Sequence, residues 1–201
     1  MVTSLTLGVY AVLCFLSHAR SFEATELKPC EHQVLKSCLG KFVHAFSDFD
    51  RSLTPLEIHC RADMILARCT ADSTCNGKAV ASLSKALLSY LLFDAKLQVC
   101  PRETGVYWKL MGKAGRAPGK SFYQIMKIIL SSTPTCARRS DVHCLREYVH
   151  LMRTNPDLCV NIPKKYGCLQ KQTNICRARI LKSLLAVFPV EADSVLHVLC
   201  Y

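Results

Sequence analysis

Cysteine is the residue type with the clearest chemistry in this 201-residue chain, because paired thiols close disulfide bonds in oxidising compartments. Twelve of the thirteen cysteines fall into two sets of six. The intervening residue counts run 7, 21, 8, 5 and 24 in the first set and 7, 14, 8, 7 and 23 in the second. This agreement predicts an internal duplication in which each copy is cross-linked. The first set is Cys30, Cys38, Cys60, Cys69, Cys75 and Cys100, and the second is Cys136, Cys144, Cys159, Cys168, Cys176 and Cys200.

Helical-hairpin geometry suggests one pairing of these cysteines. Facing residues of two antiparallel helices have a nearly constant sum of residue numbers, and this rule favours Cys30–Cys69, Cys38–Cys60 and Cys75–Cys100. The equivalent pairs in the second set are Cys136–Cys168, Cys144–Cys159 and Cys176–Cys200. The pairing remains a hypothesis, because six cysteines permit 15 pairings. In addition, Cys60 and Cys69 are nine residues apart, about half a turn out of phase on a straight helix.

No catalytic motif accompanies the cysteines. The chain contains no G-x-S-x-G, no H-E-x-x-H, no phosphate-binding P-loop and no dinucleotide-binding glycine pattern. His59-Cys60 and His143-Cys144 could indicate a metal or thiol site, but disulfides are the better explanation in a secreted chain with an even cysteine count. We therefore expect a non-enzymatic protein without a cofactor or a metal.

The segment Pro101–Lys120 is the candidate binding region. Its glycines and prolines, with basic residues among them, predict an exposed basic loop. Such a loop suits a polyanion or the anionic mouth of a channel, and a solvated linker is the alternative. The following Ser121–Ser132 predicts a short amphipathic helix that packs on a module or docks to a membrane or partner. The candidate binding residues are Tyr107, Trp108, Lys109, Lys113, Arg116 and Lys120.

The elements that must position these residues have a helical pattern. Cys38-Leu39-x-x-Phe42-Val43-His44 matches Cys144-Leu145-x-x-Tyr148-Val149-His150, with Cys, Leu and aromatic on one helix face. Leucine-rich Val80–Phe93 and Ile180–Phe188 follow later in each copy, and period-two alternation is scarce. The sequence therefore predicts an all-α fold of two tandem disulfide-stapled helical modules.

Several residues predict where these helices begin and end. Thr54, Pro55 and Glu57 have the spacing of a helix N-cap, a first helical residue and a capping acid. Asn155-Pro156-Asp157 predicts the equivalent turn of the second copy, and Ser140-Asp141 predicts the start of the helix through Cys144. Pro163 and Gly167 predict an interruption after that turn.

These patterns divide the chain into four parts. An apolar run from Leu5 to Leu16 followed by small residues predicts a signal peptide over residues 1–19, cut after Ala19 or Ser21. Residues 20–100 form the first module, 101–135 a basic linker with the short helix, and 136–201 the second module. No other apolar stretch reaches the roughly 20 residues that span a bilayer, so no transmembrane segment is expected.

Charge is spread unevenly over these parts. The net charge of +11 divides into +1 for residues 20–100, +5 for the linker and +5 for the second module, counting Lys and Arg against Asp and Glu. Such a field outside the cell favours anionic partners: sulfated polysaccharide, lipid headgroups, or acidic surfaces of channels and receptors. We do not expect a nucleic-acid partner, and the sequence does not specify the oligomeric state.

The tandem six-cysteine helical pattern resembles the secreted cysteine-rich helical proteins of invertebrates, many of unknown function and some of them venom-type components. The resemblance covers Cys30–Cys200 and implies a secreted, extracellular helical scaffold, without assigning any functional residue. Together with the missing catalytic motifs, the pattern favours a non-enzymatic binding protein that acts on an extracellular target. The alternatives are a basic venom-type toxin that modulates an ion channel or receptor, a polyanion or matrix binder, and a carrier of small apolar ligands.

Overall fold

A computed structural model describes residues 27–48, 52–115, 135–186 and 200. This part of the chain is helical and contains no strand, which confirms the predicted fold class. Residues 179–186 form a helical stretch at its end. None of the described helices is long and apolar enough to cross a membrane. The six helices with defined bounds are α1 Pro29–Asp48, α2 Pro55–Asp72, α3 Lys78–Lys96, α4 Thr104–Ala114, α5 Thr135–Thr154 and α6 Leu158–Ile175.

An antiparallel pair of helices forms the base of each module. Two disulfides connect the first helix either to the second helix or to the residues just after its end. In the first module α1 lies against α2, and in the second α5 lies against α6. The third disulfide of each module links the second helix of the pair to a cysteine beyond the next helical segment. The bonds are Cys30–Cys75, Cys38–Cys69 and Cys60–Cys100 in the first module, and Cys136–Cys176, Cys144–Cys168 and Cys159–Cys200 in the second.

All twelve cysteines are bonded as predicted, but the predicted pairing is wrong. The prediction required Cys60 and Cys69 both to face α1. Because they are nine residues apart, they project from opposite sides of α2. Cys69 bonds to α1, whereas Cys60 bonds to Cys100. The same relation holds for Cys159 and Cys168 in α6. The pairs that the structure replaces are Cys30–Cys69, Cys38–Cys60, Cys75–Cys100, Cys136–Cys168, Cys144–Cys159 and Cys176–Cys200.

Helix α3 forms the centre of the first module. Fourteen of its 19 residues are buried, since α2 covers one side and α4 another. This confirms the helix predicted from the leucine-rich run Val80–Phe93. Each large apolar side chain removed from water in this way contributes about 1.5–3 kcal/mol, and Leu83, Leu87 and Phe93 are all at most 1% exposed.

The predicted helix start at Thr54 is present, and α6 begins directly after the predicted turn Asn155-Pro156-Asp157. Thr54 and Glu57 form a reciprocal capping box: Thr54 Oγ1 accepts from the Glu57 amide at 3.3 Å, and the Glu57 carboxylate accepts from the Thr54 amide at 2.8 Å. The Thr54 amide and hydroxyl bonds hold the pKa of the Glu57 carboxyl below its usual range. At the start of α6, Asp157 Oδ1 accepts from the Cys159 amide at 2.9 Å. These bonds satisfy amides that the first helical turn leaves unpaired.

A buried carboxylate joins the starts of α1 and α3. Glu31 is 4% exposed, and its two carboxylate oxygens accept from the amides of Ala79 at 2.8 Å and Lys28 at 3.1 Å. Gly77 makes this approach possible, because a Cβ built there would lie 1.8 Å from the Glu31 carboxyl carbon. The Cys30–Cys75 bond closes the same corner of the module.

Two boundary predictions in the second module are wrong. Helix α5 begins at Thr135, so Ser140 and Asp141 lie inside it and are both buried. Helix α6 runs without interruption through Pro163 and Gly167. Proline at position 163 removes a single intrahelical hydrogen bond, and packing of α6 against α5 and two disulfides compensates for it.

The two modules share one apolar core, in which α5 contacts both α1 and α2. Phe46 of α1 meets Tyr148 of α5 edge to face, with ring centroids 5.9 Å apart. Lys165 of α6 lies above the rings of Tyr90 at 4.5 Å and Tyr148 at 4.7 Å. The contact surface between modules therefore contains both aromatic and charged groups.

Candidate functional site

The predicted basic binding loop is a helix over much of its length. Residues of Thr104–Ala114 form α4, and the loop prediction is wrong there. Val106, Tyr107, Leu110 and Ala114 are all buried, and their spacing of one, four and eight residues defines one apolar face. Arg116, Lys120 and the predicted helix Ser121–Ser132 lie outside the described residues.

The basic and aromatic residues of α4 mostly make contacts within the protein. Tyr107 is buried and its hydroxyl donates to the Leu91 carbonyl at 3.1 Å. Lys109 pairs with Asp72 at 2.6 Å, and this bond holds the pKa of the Asp72 carboxyl below its usual range. Lys113 donates to the carbonyl and the hydroxyl of Ser73. These three side chains dock α4 onto the first module.

Trp108 is the exception in α4, since its side chain is 69% exposed. Gly105 and Gly112 flank it on the same helix face and have no atom within 4 Å of the Cβ they lack. Trp108 therefore stands in an open patch, but the two lysines nearest in sequence are engaged elsewhere. The structure does not bring the predicted binding residues together as one cationic surface.

Helix α5, unlike α4, carries basic side chains that lie along one exposed face. The sequence analysis did not predict this face. Arg139, His143, Arg146, His150 and Arg153 are all exposed. Their spacing alternates between four and three residues, which places them along a single stripe of the helix. Its ends, Arg139 and Arg153, are 14 positions apart in the sequence, which corresponds to about 21 Å along the helix axis at 1.5 Å per residue. We call these five residues the α5 stripe.

The arginines of the α5 stripe have no ion-pair partner among the described residues. The acidic side chain closest in sequence is Glu147, which lies at the edge of the stripe. By contrast, Arg68 of the first module pairs with Glu103 at 2.5 Å. A carboxylate or sulfate group outside the protein can therefore approach the α5 arginines without displacing a described partner.

The corresponding face of α1 is nearly uncharged. Positions aligned through Cys38 and Cys144 place Gln33, Gly40 and Ser47 where α5 has Arg139, Arg146 and Arg153. His44 corresponds to His150, and both are exposed. At these three aligned positions only the second copy carries arginines, and a comparison of the two copies position by position is the signal that identifies them.

A serine, a histidine and an aspartate meet near the end of α1. His44 Nε2 lies 2.9 Å from Asp48, and Ser47 Oγ lies 3.4 Å from His44 Nδ1. The Ser47 hydroxyl, however, donates to the His44 carbonyl of its own helix at 2.8 Å. The His44 and Asp48 side chains are 73% and 56% exposed, whereas a hydrolytic triad relies on a buried acid. The arrangement is that of a solvated helix end beside an open groove, which is lined in part by Lys36 and Gly40.

A second cluster of ionisable groups lies buried where the modules meet. His59 Nε2 lies 2.9 Å from Asp94 and 3.5 Å from Asp63. Asp141 of α5 is fully buried, and neither of its carboxylate oxygens has a hydrogen-bond partner among the described residues. Lys165 is 8% exposed. We call these five residues the junction cluster.

Burial dominates the protonation of the junction cluster. It raises the pKa of Asp94 to about 7, against a weaker effect of Lys165. It also raises the pKa of Asp141 to about 7, with the Asp94 charge adding to the rise. Burial raises the pKa of Asp63 and lowers that of His59. A group removed from water favours its neutral form, so burial favours the protonated carboxyls of Asp63, Asp94 and Asp141 and the neutral imidazole of His59.

The junction cluster is not a convincing metal site. His59 and Asp94 lie close to the sulfur of Cys100, but that sulfur is bonded to Cys60 and cannot act as a thiolate ligand. His143 and Glu147 lie close to Cys168, which is bonded to Cys144. Both histidine–cysteine neighbourhoods noticed in the sequence therefore belong to disulfides.

The junction cluster also differs between the copies. Asp141 and Leu35 both stand three residues before an aligned cysteine, Cys144 and Cys38. His59, Asp63 and Lys165 correspond in the same way to Leu158, Ile162 and Leu66. All four counterparts are buried apolar residues. A charged residue at a position that is apolar in the other copy is the sequence signal that could have revealed the cluster.

Comparison with known proteins gives no relative. No protein-family model matches the chain, and neither the curated proteins nor the solved structures contain a significant match. The α5 stripe and the junction cluster are therefore the features that bear on function.

Proposed function

We propose that the protein is a secreted, non-enzymatic binding protein whose extracellular target is a sulfated polysaccharide. The α5 stripe is the observation that carries this proposal. Its arginines are exposed and lack ion-pair partners among the described residues, and the duplicated helix α1 has uncharged residues at the same positions.

The chemistry of the stripe suits sulfate groups on a linear polymer. A guanidinium group donates two parallel hydrogen bonds to a tetrahedral or planar oxyanion, and it stays charged at all physiological pH values. Arg139, Arg146 and Arg153 recur every two helical turns, or about 10 Å. A flexible chain of repeating anionic sugars can place successive sulfates along such a line.

The frame beneath the stripe favours binding. The disulfides Cys136–Cys176 and Cys144–Cys168 hold α5 to α6 at two levels. A helix that is already fixed loses little conformational entropy when a ligand binds. The second module therefore offers a rigid cationic edge.

The other candidate functions have less support. The hypothesis of a channel-directed toxin depends on free basic side chains around Lys109 and Lys113. Lys109 is instead bonded to Asp72, and Lys113 is bonded to Ser73. A carrier of apolar ligands needs an enclosed cavity, whereas the groove beside Lys36, Gly40 and His44 is open to solvent.

Chromatography on immobilised heparin tests the proposal. We expect the oxidised protein to be retained and to elute with rising salt, because salt screens these contacts. The variant Arg139→Ala/Arg146→Ala/Arg153→Ala should elute at much lower salt. A control variant removes the same amount of charge from exposed positions of the first module: Lys28→Ala/Lys36→Ala/Lys41→Ala.

The duplicated frame also allows a gain-of-function test. Adding Gln33→Arg, Gly40→Arg and Ser47→Arg to the triple alanine variant moves the stripe onto α1. All three positions are exposed, and no atom lies within 4 Å of a Cβ at Gly40. Recovered retention supports recognition of the stripe. Equal losses in the α5 variant and the control would show that net charge alone is responsible, and a wild-type protein that is not retained would refute the proposal.

Secretion is tested separately. Expression of the full chain in cells with a secretory pathway should release a protein whose amino terminus follows Ala19 or Ser21, read by mass spectrometry. A product that stays in the cell with reduced cysteines would contradict this part of the proposal.

A further inference from the structure

The junction between the two modules is held without a covalent cross-link. Each of the six disulfides joins two cysteines of the same module. Across the junction, α5 packs against α1 and α2, and Phe46 contacts Tyr148. No disulfide therefore prevents the modules from separating.

Charged groups from four helices meet at this junction. Helix α2 contributes His59 and Asp63, α3 contributes Asp94, α5 contributes Asp141 and α6 contributes Lys165, and each is less than 10% exposed. The other titratable groups near them are the phenols of Tyr90, Tyr107 and Tyr148, and burial raises the pKa of Tyr107. Helix α1 contributes apolar contacts through Phe46.

Asp141 is the member of the junction cluster with the most unpaired hydrogen-bonding atoms among the described residues. Its carboxylate is fully buried and finds no hydrogen-bond donor among the described residues. A buried carboxylate without donors is costly, whereas a buried neutral carboxyl costs much less. Separation of the modules would return the carboxylate to water.

We propose that pH controls the docking of the two modules: acid holds them together, and a rise through neutral pH loosens the junction and exposes the facing sides of α2 and α5. The device consists of the junction cluster, and it needs neither the α5 stripe nor a bound ligand.

The sign follows from proton binding. Burial raises the pKa of Asp141, which lies on α5 at the junction, from its usual value near 3.8 to about 7, and the Asp94 charge adds to the rise. Burial also raises the pKa of Asp94 to about 7. Between these values the docked form holds more protons, so docking weakens as the pH rises through this window and levels off above it. Burial raises the pKa of Asp63, which acts in the same direction. Burial lowers the pKa of His59, which acts in the opposite direction below about pH 6.5.

The carboxyls outnumber the imidazole in this balance. Asp141 releases a proton when the junction opens. Asp63 and Asp94 add to the release to the extent that opening returns them to water, whereas a rehydrated His59 takes a proton up. The net effect is proton release on opening, so that each proton released makes opening about tenfold more favourable per pH unit within the window. If the protein is secreted as proposed, it would pass from an acidic compartment in the docked form to a neutral medium in the loosened form.

Hydrogen exchange on the full-length, oxidised protein tests the proposal. Amide protection is measured by mass spectrometry between about pH 5 and about pH 8, corrected for the intrinsic pH dependence of exchange and under conditions in which reclosing is faster than exchange. We expect protection in α5 and in the facing side of α2 to fall by tenfold or more over this range. Protection in α4, which packs within the first module, serves as the internal reference.

Two variants assign the effect to the cluster. Asp141→Asn keeps the size and removes the charge, and we expect it to flatten the pH dependence of junction protection. Asp141→Leu copies Leu35 of the first module and should flatten it as well. Asp157→Asn is the matched control, since asparagine is an equally good N-cap. Protection that is independent of pH in the wild-type protein overturns the proposal whether or not the variants fold, as does an unchanged pH slope in a folded Asp141→Asn.

Discussion

The disulfide between Cys60 and Cys100 gives the sharpest prediction about the frame. Replacing both residues with serine removes a bond that closes a loop with a sequence separation of 40. The chain-entropy relation for a loop of that length gives a loss of about 4 kcal/mol in the free energy of unfolding. We expect the variant to keep its helical content, because the hairpin disulfides Cys30–Cys75 and Cys38–Cys69 remain.

Two measurements check this prediction. Guanidinium unfolding followed by circular dichroism gives the free energy of unfolding for the variant and the wild type. Titration of thiols in denaturant shows whether removal of Cys60 and Cys100 leaves any cysteine of the two modules unpaired. The structure predicts no new thiol. The single replacement Cys60→Ser is the matched control and should leave one thiol, that of Cys100.

The outcome that refutes the pairing is equally specific. If Cys60 were bonded to Cys38, and Cys100 to Cys75, the double serine variant would strand Cys38 and Cys75. Two thiols, or a new Cys38–Cys75 bond in peptide maps, would show that the described connectivity is wrong. A loss of stability well below about 1 kcal/mol would instead show that the third disulfide hardly restricts the unfolded chain.

Three further changes test local contacts, each by thermal or denaturant unfolding. Thr54→Ala removes the capping box and should cost about 1 kcal/mol, and Thr54→Ser should restore most of it. Gly77→Ala should cost about 1–3 kcal/mol, because the new Cβ displaces the carboxylate of Glu31 and leaves the Ala79 amide without its acceptor. This cost should largely disappear in a Glu31→Ala background, and an unchanged cost there would contradict the explanation. Tyr107→Phe removes the bond to the Leu91 carbonyl and should cost about 1 kcal/mol, and no loss would mean that water satisfies that carbonyl.

The frame was largely predictable from the sequence, because local rules specify it. The duplicated cysteine spacing and the helix face around Cys38 predicted tandem helical hairpins, and the spacing from Thr54 to Glu57 predicted the start of α2. The pairing failed because the hairpin rule ignored rotation about the helix axis. The half-turn between Cys60 and Cys69 already indicated that the two cysteines cannot both face α1.

Helix α4 was missed because glycine was given too much weight. Gly105 and Gly112 lie on its exposed face, where helix formation loses about 1 kcal/mol for each glycine relative to alanine. Burial of Val106, Tyr107 and Leu110 outweighs this cost. Tertiary packing of this kind cannot be read from composition.

Neither the α5 stripe nor the junction cluster matches a known sequence motif, so a motif search could not predict them. Arg139 and Asp141 are two residues apart, yet one faces solvent and the other lies buried against the first module. Their opposite environments depend on the direction from which α1 and α2 approach α5. Comparison with Gln33 and Leu35 at the same positions of the first copy would have identified both as departures from the duplicated pattern.

The grouping of the disulfides also bears on how the chain matures. Synthesis proceeds from the amino terminus, so the thiols of Cys30 to Cys100 are all available before Cys136 is made. Oxidative folding of the first copy then requires a choice among 15 pairings, not among the far larger number open to twelve free thiols. A duplicated protein with bonds between its copies would lose this order. Here, each copy can finish its own bonds in turn, and errors in one need not spread to the other.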